Sequence, residues 1–272
     1  MLFHGIPFSG RIGLMAPADS DNLIVFGDVP FATSRPHRFG LVIEGPTEVI
    51  GKVASEDYLH EILLAPFNRD GLMALILKEG LVVCKNVRSD APSYRRVRGK
   101  SSFSKLSQAE YYHHDGCSSP TKPLVVEIRC PHQEVSRNVA TAIAPFPAVI
   151  QAMVMALPET MLNHEGIGAY RELFAGSEDG FPSPAEWDSI QGKVTRLVRK
   201  ELDAEACRAY FRSVDQLAGA YALPWEMGES RLMLNSCDDL TRTMQHRRAY
   251  QKPRGVAEQN GSLVKRWTAE EA

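Results

Sequence analysis

The sequence contains no apolar run approaching the roughly 20 residues that a helix needs to cross a bilayer. Its opening stretch, MLFHGIPFSGRIG, has neither the basic start nor the apolar core of a secretory signal, so no signal peptide is expected. An excess of charge of one sign is also missing, because 31 basic and 33 acidic residues leave a net charge of -2. We therefore expect no nucleic acid and no membrane surface as a partner bound through bulk charge.

Paired cysteines are missing as well. The five cysteines are odd in number, are scattered at positions 84, 117, 130, 207 and 237, and form no CxxC motif. This argues against a disulfide framework or a zinc knuckle and favours reduced thiols in a cytoplasmic protein. Oligomeric state is not constrained by the sequence.

The chain shows neither internal repeats nor low-complexity tracts, so a single domain over residues 1–272 is the simplest organisation. Short apolar runs broken by Gly and Pro predict a strand-rich extension over residues 1–53 that packs on the core. Further along, the patterns predict helices over 55–67, 69–78, 146–158 and 184–218, and strands over 81–87, 124–130, 138–144, 230–236, 240–246 and 262–268. Strands before, between and after the helices indicate an α+β, mainly β fold, with an antiparallel sheet and helices packed outside it.

The stretch YYHHDGCSSP, residues 111–120, places two histidines and an aspartate side by side. In an extended segment residues two apart point to the same side, so His113 and Asp115 would face one point while His114 faces away. Imidazole and carboxylate together suit a divalent first-row metal, and a 2-His-1-carboxylate set leaves open positions for oxygen chemistry at Fe(II). An isolated HxD triplet recurs by chance, so a third ligand from elsewhere in the chain is required.

Three other segments accompany the triplet in a definite order. LKEGLVVCKNV precedes it, and HRRAY (246–250) and SLVKRW follow it. With these motifs the sequence from about residue 75 to 268 resembles the Fe(II)/2-oxoglutarate-dependent dioxygenases, especially the branch of taurine dioxygenase, clavaminate synthase and carbapenem synthase. Those enzymes carry an HxD/E pair, a distal His in an H-x-R-x-x-[FY] context and a C-terminal Arg. The resemblance implies a double-stranded β-helix, or jelly-roll, core with flanking helices.

The resemblance also implies roles for individual residues. His113, Asp115 and the distal His246 would be the iron ligands. Thr141, which follows the HxD pair at a spacing that the family often uses, would hold a carboxylate of the 2-oxoglutarate co-substrate.

The C-terminal Arg of the family would clamp the distal carboxylate of 2-oxoglutarate in a bidentate geometry that Lys does not reproduce. This sequence departs from the family pattern here, because no Arg stands at the usual distance after the distal His. The candidates are Arg254, which lies closer to His246 than that distance, and Arg266, which lies beyond it. Arg266 is preferred, because SLVKRW resembles the final strand of the family, and Lys265 would point to the opposite face of that strand.

The activity that the resemblance implies is that of an oxidoreductase. It would use O2 and 2-oxoglutarate to hydroxylate, desaturate or cyclise a small molecule of specialised, natural-product metabolism, with succinate and CO2 as co-products. The basic stretch SYRRVRGKSSFSK, residues 93–105, lies where such enzymes have substrate loops. Arg96 and Arg98 are therefore candidates for holding an anionic substrate group, although a charged loop is more often only solvated. Tyr111 shares the parity of the ligands and is expected to line the pocket.

Three other functions stay open. Reading the motif from His114 gives H-D-G, with Gly116 in place of the carboxylate, as in the halogenases of the same superfamily, but this leaves His113 unexplained. A metal phosphohydrolase of the HD type would use His60, His114 with Asp115, and a later Asp, and it would require a helix where HHDGCSSPTKP is rich in Gly, Ser and Pro. A non-catalytic metal-binding protein of jelly-roll fold would account for the displaced Arg.

Overall fold

A computed structural model describes residues 23–26, 29–35, 37–44, 66–85, 95–96, 111–116, 122–129, 139–164, 166–176, 181–226, 229–250 and 263–267. Much of the predicted N-terminal extension and most of the helix predicted over 55–67 lie outside these residues. Cys84, Cys207 and Cys237 fall within them and form no disulfide, as the scattered cysteines predict.

The described elements are ten strands and five helices. The strands are β1 (Leu23–Phe26), β2 (Val29–Ser34), β3 (Leu41–Glu44), β4 (Leu81–Lys85), β5 (Arg95–Arg96), β6 (Val125–Arg129), β7 (Val139–Pro145), β8 (Ser230–Leu234), β9 (Met244–Tyr250) and β10 (Leu263–Trp267). The helices are α1 (Pro66–Glu79), α2 (Phe146–Met155), α3 (Ile167–Gly176), α4 (Pro184–Glu201) and α5 (Ala204–Ala218). None of these helices is long and apolar enough to span a membrane.

The larger sheet has eight strands in the order β1-β2-β3-β4-β8-β6-β10-β5. Its strand pairs are antiparallel except β3 with β4, which run parallel. The expectation of a wholly antiparallel sheet was therefore wrong at this pair. The reason is α1, which lies between β3 and β4 in the chain and returns it in the same direction, as crossover helices do.

The smaller sheet is the antiparallel pair β7–β9, and isolated bridges extend it on both sides. His113 pairs with His246 of β9, and Tyr221 pairs with Ile143 of β7. Taken in chain order, the pairings are nested: β5 with β10, residue 113 with β9, β6 with β8, and β7 with residue 221. The chain from β5 to β10 is thus paired like one long hairpin whose arms pass repeatedly from one sheet to the other.

The helices pack on both sheets through apolar faces. On α4 the buried residues recur at helical spacing, and they are Trp187, Ile190, Val194, Leu197 and Val198. Together with α2 and α5 they form the larger core cluster, which also takes in side chains from both sheets. A second cluster lies on the opposite face of the larger sheet, where Leu72, Met73 and Ile76 of α1 cover β3, β4 and β8.

Most predicted elements are confirmed, and the differences have local causes. The region predicted as one helical stretch over 184–218 is two helices, because Leu202 is extended and Asp203 caps the second by accepting from the N–H groups of Glu205 and Ala206. The strand predicted over 240–246 was wrong in its first half. Leu240–Arg242 forms a single 3-10 turn capped by Asp239, and β9 begins only at Met244. Helix α3 was not predicted.

The described part of the chain is therefore an α+β structure of two sheets and five helices, and its strands do not close into a barrel.

Candidate metal centre

Three predicted ligands meet at one point. His113 and His246 form a hydrogen-bonded cross-strand pair, with backbone N–H···O distances of 3.1 and 3.2 Å. The Nε2 atoms of both rings lie 3.7 Å from Oδ1 of Asp115. One ligand atom from each of the three residues lies within 4.8 Å of the other two. The predicted separation of His113 and Asp115 from His114 by strand alternation is confirmed.

The ring of His113 is held in the orientation that a metal ligand needs. Its Nδ1 lies 2.7 Å from the carbonyl oxygen of Tyr111. A carbonyl oxygen only accepts, so Nδ1 donates to it, and Nε2 is the ring nitrogen that faces Asp115. A backbone carbonyl that fixes the tautomer of an imidazole in this way is typical of metal-ligating histidines.

Asp115 is positioned through its backbone by Asn235, which follows β8. The backbone N–H of Asp115 donates to Oδ1 of Asn235 at 2.7 Å, and Nδ2 of Asn235 donates back to the carbonyl of Asp115 at 3.1 Å. The same Nδ2 donates to the carbonyl of Pro123 at 2.9 Å. Asn235 is 1% exposed. One buried residue therefore holds the turn that carries the carboxylate ligand.

The side chain of His114 points away from His113 and Asp115, towards the side of the smaller sheet that the helices cover. Its Nδ1 lies 3.3 Å from Nε2 of Gln245, and its Nε2 lies 3.2 Å from Oγ1 of Thr243. Its ring packs edge-on against Phe146 at 4.8 Å between centroids. Burial, with smaller contributions from the charges of Lys122 and His113, lowers the pKa of His114 to about 4. His114 is thus a neutral structural residue, as the alternation of the strand predicts.

Behind the two histidine ligands, the next cross-strand pairs are tied to helices. Tyr112 and Arg247 both contact Asp215 of α5, the tyrosine hydroxyl donating to Oδ1 at 2.7 Å. Arg247 donates to the same carboxylate through Nε at 2.8 Å and through Nη2. Burial, followed by the charge of Asp215, raises the pKa of Tyr112 well above its usual range, so its hydroxyl stays protonated and donates. On α4, Gln191 exchanges hydrogen bonds with Gln245 at 2.7 and 2.9 Å.

Thr141, the predicted co-substrate residue, lies on β7 opposite Arg248, and its neighbour Ile143 lies opposite His246. Residues two apart on a strand share a face, so Thr141 and Arg248 stand on the same face of the smaller sheet as His246. Thr141 is 5% exposed, and its carbonyl accepts a hydrogen bond of 3.0 Å from Arg231.

Arg231 is a fully buried arginine of β8 that joins the two sheets. Its Nε donates to Glu229 at 2.6 Å while Nη1 reaches Thr141 on the smaller sheet. Its guanidinium carbon stands 3.9 Å from the ring centre of Trp225 and 4.7 Å from that of Tyr221. These contacts hold the guanidinium in the protein interior, and we assign Arg231 a structural role.

Of the remaining predicted site residues, two are described by their backbone alone, two lie outside the described residues, and Tyr111 is described with its side chain. Arg266 lies on β10 and pairs with Val126, and Arg96 lies on β5 opposite Leu263, but their side chains are outside the described residues. Arg98 and Arg254 also lie outside them. Tyr111 is buried, with its ring edge-on to Phe211 of α5 at 5.1 Å between centroids. Its role in lining a substrate pocket stays a prediction.

Sequence reasoning missed the residues that support the ligands. Asn235 stands out only as part of a turn, and Asp215 only as one of many charges on a helical stretch. Neither has a motif of its own, because their function comes from contacts across 120 and 32 residues of sequence. Arg248 stands out only as part of the HRRAY motif. Strand parity, counted from His246, was the signal that places it on the metal-facing side.

The donor set fits a divalent first-row metal. Two imidazoles and a carboxylate are borderline ligands, and bonds of about 2.1 Å from one ion can bridge atoms separated by up to roughly 4 Å. The 3.7 Å separations from each histidine to Asp115 lie within that span. Three ligands on one side of an ion leave its other positions open for a co-substrate and oxygen.

Two alternatives that use His114 as a ligand are not supported by this geometry. The HD-type phosphohydrolase needs these residues in a helix, whereas residues 111–116 form a bridge and a turn. The halogenase pattern needs the His114 ring at the metal, whereas this ring contacts Gln245 of β9 and Thr243, on the side of the smaller sheet that faces the helices. His60, the third residue of the HD set, lies outside the described residues.

No protein-family model and no curated protein matches this sequence. Among solved structures, the chain is similar to PvcB from Pseudomonas aeruginosa, described as an Fe, alpha-ketoglutarate dependent oxygenase from an isonitrile synthetic pathway. That match has 15% identity and a TM-score of 0.44, and it covers 95% of this chain and 96% of PvcB. A taurine dioxygenase from Burkholderia xenovorans has 10% identity and a TM-score of 0.40, with coverage of 87% and 88%.

A third similar structure is AAD-2 in complex with Mn(II) and N-oxalylglycine, at 13% identity and a TM-score of 0.40, covering 88% of this chain and 97% of AAD-2. None of these three matches exceeds 15% identity or a TM-score of 0.44.

Proposed function

We propose that this protein is a non-heme Fe(II)- and 2-oxoglutarate-dependent oxygenase that hydroxylates, desaturates or cyclises a small molecule. One observation carries the proposal: two histidines and one aspartate, drawn from two distant segments of the chain, converge within 4.8 Å. This is the 2-His-1-carboxylate set that oxygen-activating Fe(II) centres use.

The chain's own residues would hold the reactants. His113 and His246 would bind the metal through Nε2, and Asp115 through its carboxylate. When bound, iron with 2-oxoglutarate and O2 supplies the oxidation of a substrate C–H bond, with succinate and CO2 as co-products. The protein positions that bond and excludes water, and Asn235 and the Tyr111 carbonyl keep the ligands in place while it does so.

The nested strand pairing supports a jelly-roll core for this function. A hairpin whose arms alternate between two sheets is the way in which a jelly roll is rolled up. In this arrangement residue 113, β9, β7 and residue 221 form one sheet, and β5, β10, β6 and β8 form the facing one. The proposed histidine ligands, His113 and His246, lie on the smaller sheet, and their neighbours Tyr112 and Arg247 face the helices.

The co-substrate residues in this proposal are Thr141 and Arg266. Position 266 pairs with Val126, and paired residues of a ladder share a face, so it falls on the side of the sheet that carries the larger core cluster. Lys265 pairs with Glu127 and falls on the other side. Arg248, directly opposite Thr141, is a second arginine on the metal-facing side.

The decisive experiment is an anaerobic titration of the Fe(II)-loaded protein with 2-oxoglutarate, followed by visible absorption. A charge-transfer band on mixing, and succinate release once air is admitted, are expected. If iron binds but neither the band nor succinate follows, the protein is a non-catalytic metal-binding protein and the proposal is wrong.

The same titration tests whether Arg266 or Arg248 binds the distal carboxylate of 2-oxoglutarate. Arg266→Lys is expected to weaken 2-oxoglutarate binding by roughly 10-fold or more, because a charge-assisted bidentate contact contributes about 1.5–3 kcal/mol and Lys does not reproduce it. Arg248→Lys, the matched variant, is expected to leave 2-oxoglutarate binding close to that of the wild type. The reverse result would transfer the carboxylate clamp to Arg248.

The proposed substrate is a small molecule. Arg96 and Arg98 are proposed to meet an anionic group on it, and Tyr111 is proposed to line the pocket. A screen of succinate release over amino acids, sulfonates, β-lactam-like compounds and carrier-bound acyl groups would identify it. Substrate-dependent succinate release that falls in an Arg96→Ala or Arg98→Ala variant with anionic substrates only would support the assigned contact.

A further inference from the structure

A single carboxylate of α5 ties together the two strands that carry the metal ligands. Asp215 accepts from the hydroxyl of Tyr112 at 2.7 Å and from Nε of Arg247 at 2.8 Å, with a second contact from Nη2. Tyr112 directly precedes His113, and Arg247 directly follows His246.

The register makes this tie specific to the metal centre. Because His113 and His246 are opposite each other in an antiparallel bridge, the residues one step away, Tyr112 and Arg247, are also opposite each other on the other face. Asp215 therefore contacts the cross-strand pair that lies immediately behind the two histidines.

The contacts of Asp215 with Tyr112 and Arg247 are charged and largely buried, which restricts their geometry. The side chains of Asp215 and Arg247 are 14% and 7% exposed. The guanidinium of Arg247 also stands 5.8 Å from the ring centre of Tyr112 and 5.5 Å from that of Phe211. Ionic hydrogen bonds at a site screened from water are strong, and their directionality restricts how far the two strands can separate.

We infer that Asp215 is a positioning residue for the metal: it holds the strands of His113 and His246 at the separation that lets both imidazoles bind one ion. The inference rests on the proposed metal centre, and it concerns the affinity of that centre. Outer-shell partners of metal ligands commonly change metal affinity by about 10- to 100-fold, and we expect a loss within this range.

The test uses Co(II) as a spectroscopic probe, titrated anaerobically into the metal-free protein, with the dissociation constant and visible spectrum recorded. Asp215→Asn removes the charge that pairs with Arg247, and Tyr112→Phe removes one hydrogen bond without leaving a charge unpaired. Weaker Co(II) binding, with an altered spectrum, is expected in both variants. Because Asp215→Asn leaves Arg247 buried without its partner and can fail to fold, Tyr112→Phe is the variant on which the inference stands.

The matched control is Tyr210→Phe. Tyr210 is also buried and lies on α5, but its hydroxyl donates to the carbonyl of Met153, on α2, at 2.5 Å. Urea unfolding of the metal-free proteins gives the stability of each variant. Tyr210→Phe is expected to lose comparable stability and to bind Co(II) like the wild type.

Each result has a definite meaning. Folded Tyr112→Phe protein with wild-type Co(II) affinity overturns the inference, and so does an equal loss of affinity in Tyr210→Phe, which would make the effect one of general stability. Wild-type protein that binds no Co(II) overturns both the inference and the proposed function. Wild-type protein that binds Co(II) but gives no 2-oxoglutarate band removes only the proposed function, and the comparison of the two tyrosine variants still decides on Asp215.

Discussion

His113 and His114 are neighbours with the same side chain and opposite roles. His113 presents Nε2 to Asp115 because its Nδ1 donates to a backbone carbonyl. His114 is enclosed by Phe146, Thr243 and Gln245, and burial keeps it neutral by lowering its pKa. The two identical side chains thus take different roles, because successive side chains of an extended segment point to opposite faces.

Substituting each histidine in turn tests this division. His113→Ala is expected to abolish the visible band of the complex with Fe(II) and 2-oxoglutarate, because one of three protein ligands is lost. His114→Ala is expected to keep the band and to lower the free energy of unfolding by about 1–3 kcal/mol, since buried partners lose their hydrogen bonds. Anaerobic absorption and urea unfolding measure the two effects. A band that survives His113→Ala but not His114→Ala would contradict the assignment.

Asn235 is expected to support both the stability of the protein and metal binding at the proposed centre. Asn235→Ala is expected to lower the free energy of unfolding by about 2–4 kcal/mol, because the N–H of Asp115 and the carbonyl of Pro123 are left buried without a partner. Asn235→Asp keeps the acceptor but loses both donated bonds and adds a negative charge next to Asp115. Both variants should also bind Co(II) more weakly than the wild type. Unchanged unfolding and Co(II) affinity in Asn235→Ala would show that the amide does not hold the turn.

At the scale of the element, the turn after Asp115 depends on one glycine. Gly116 has a φ of +74°, and a Cβ there would stand 2.8 Å from Cδ of Pro123. Positive φ disfavours any residue with a Cβ by about 1–2 kcal/mol, and the contact with the proline ring adds to that. The turn that directs the carboxylate therefore has no room for a side chain.

Comparing substitutions at Gly116 and Gly166 distinguishes the effect of the positive φ from that of the steric contact with Pro123. Gly166 has a φ of +73°, and a Cβ added there would meet nothing within 4 Å, so Gly166→Ala reports the conformational penalty alone. Gly116→Ala is expected to destabilise more than Gly166→Ala and, unlike it, to weaken Co(II) binding. Equal effects of the two substitutions in urea unfolding and in the metal titration would mean that the contact with Pro123 is relieved without moving Asp115.

Local sequence patterns predicted the helices and strands correctly where local propensity and tertiary packing favour the same structure, and incorrectly where they do not. The apolar run of α2 and the amphipathic spacing of α4 predict helices, and both form. A strand was predicted over 240–246, yet Asp239 accepts from the N–H and hydroxyl of Thr241 and closes a turn first. A local side-chain bond of this kind competes with strand pairing and is invisible to a hydrophobic pattern.

At the scale of the molecule, the candidate metal centre joins two segments that are distant in the chain. His113 and His246 are far apart in the sequence, and their meeting depends on the nested pairing of both sheets. In the unfolded chain these ligands are dispersed, so a metal ion binds chiefly to the native state. Binding to the native state alone stabilises it by mass action.

Metal should therefore raise the melting temperature of the whole protein. At a free concentration about 100 times the dissociation constant, Mn(II) or Co(II) is expected to add about 2.7 kcal/mol to the free energy of unfolding. A chelator should remove this increment, and His113→Ala protein should show none of it. Thermal unfolding followed by circular dichroism measures the change. Equal metal stabilisation of wild-type and His113→Ala protein would place the metal elsewhere.

The sequence by itself predicted the three candidate ligands and the side of the segment on which His113, His114 and Asp115 lie. Residue chemistry and the two-residue period of an extended chain are local properties, and the order of the motifs indicated the superfamily. Only the tertiary structure decided how the ligands are held: Asn235 at the turn, Asp215 behind the two histidines, and Thr141 opposite Arg248. These contacts join positions far apart in the chain, and strand pairing and helix packing, which bring them together, leave no signature in either segment alone.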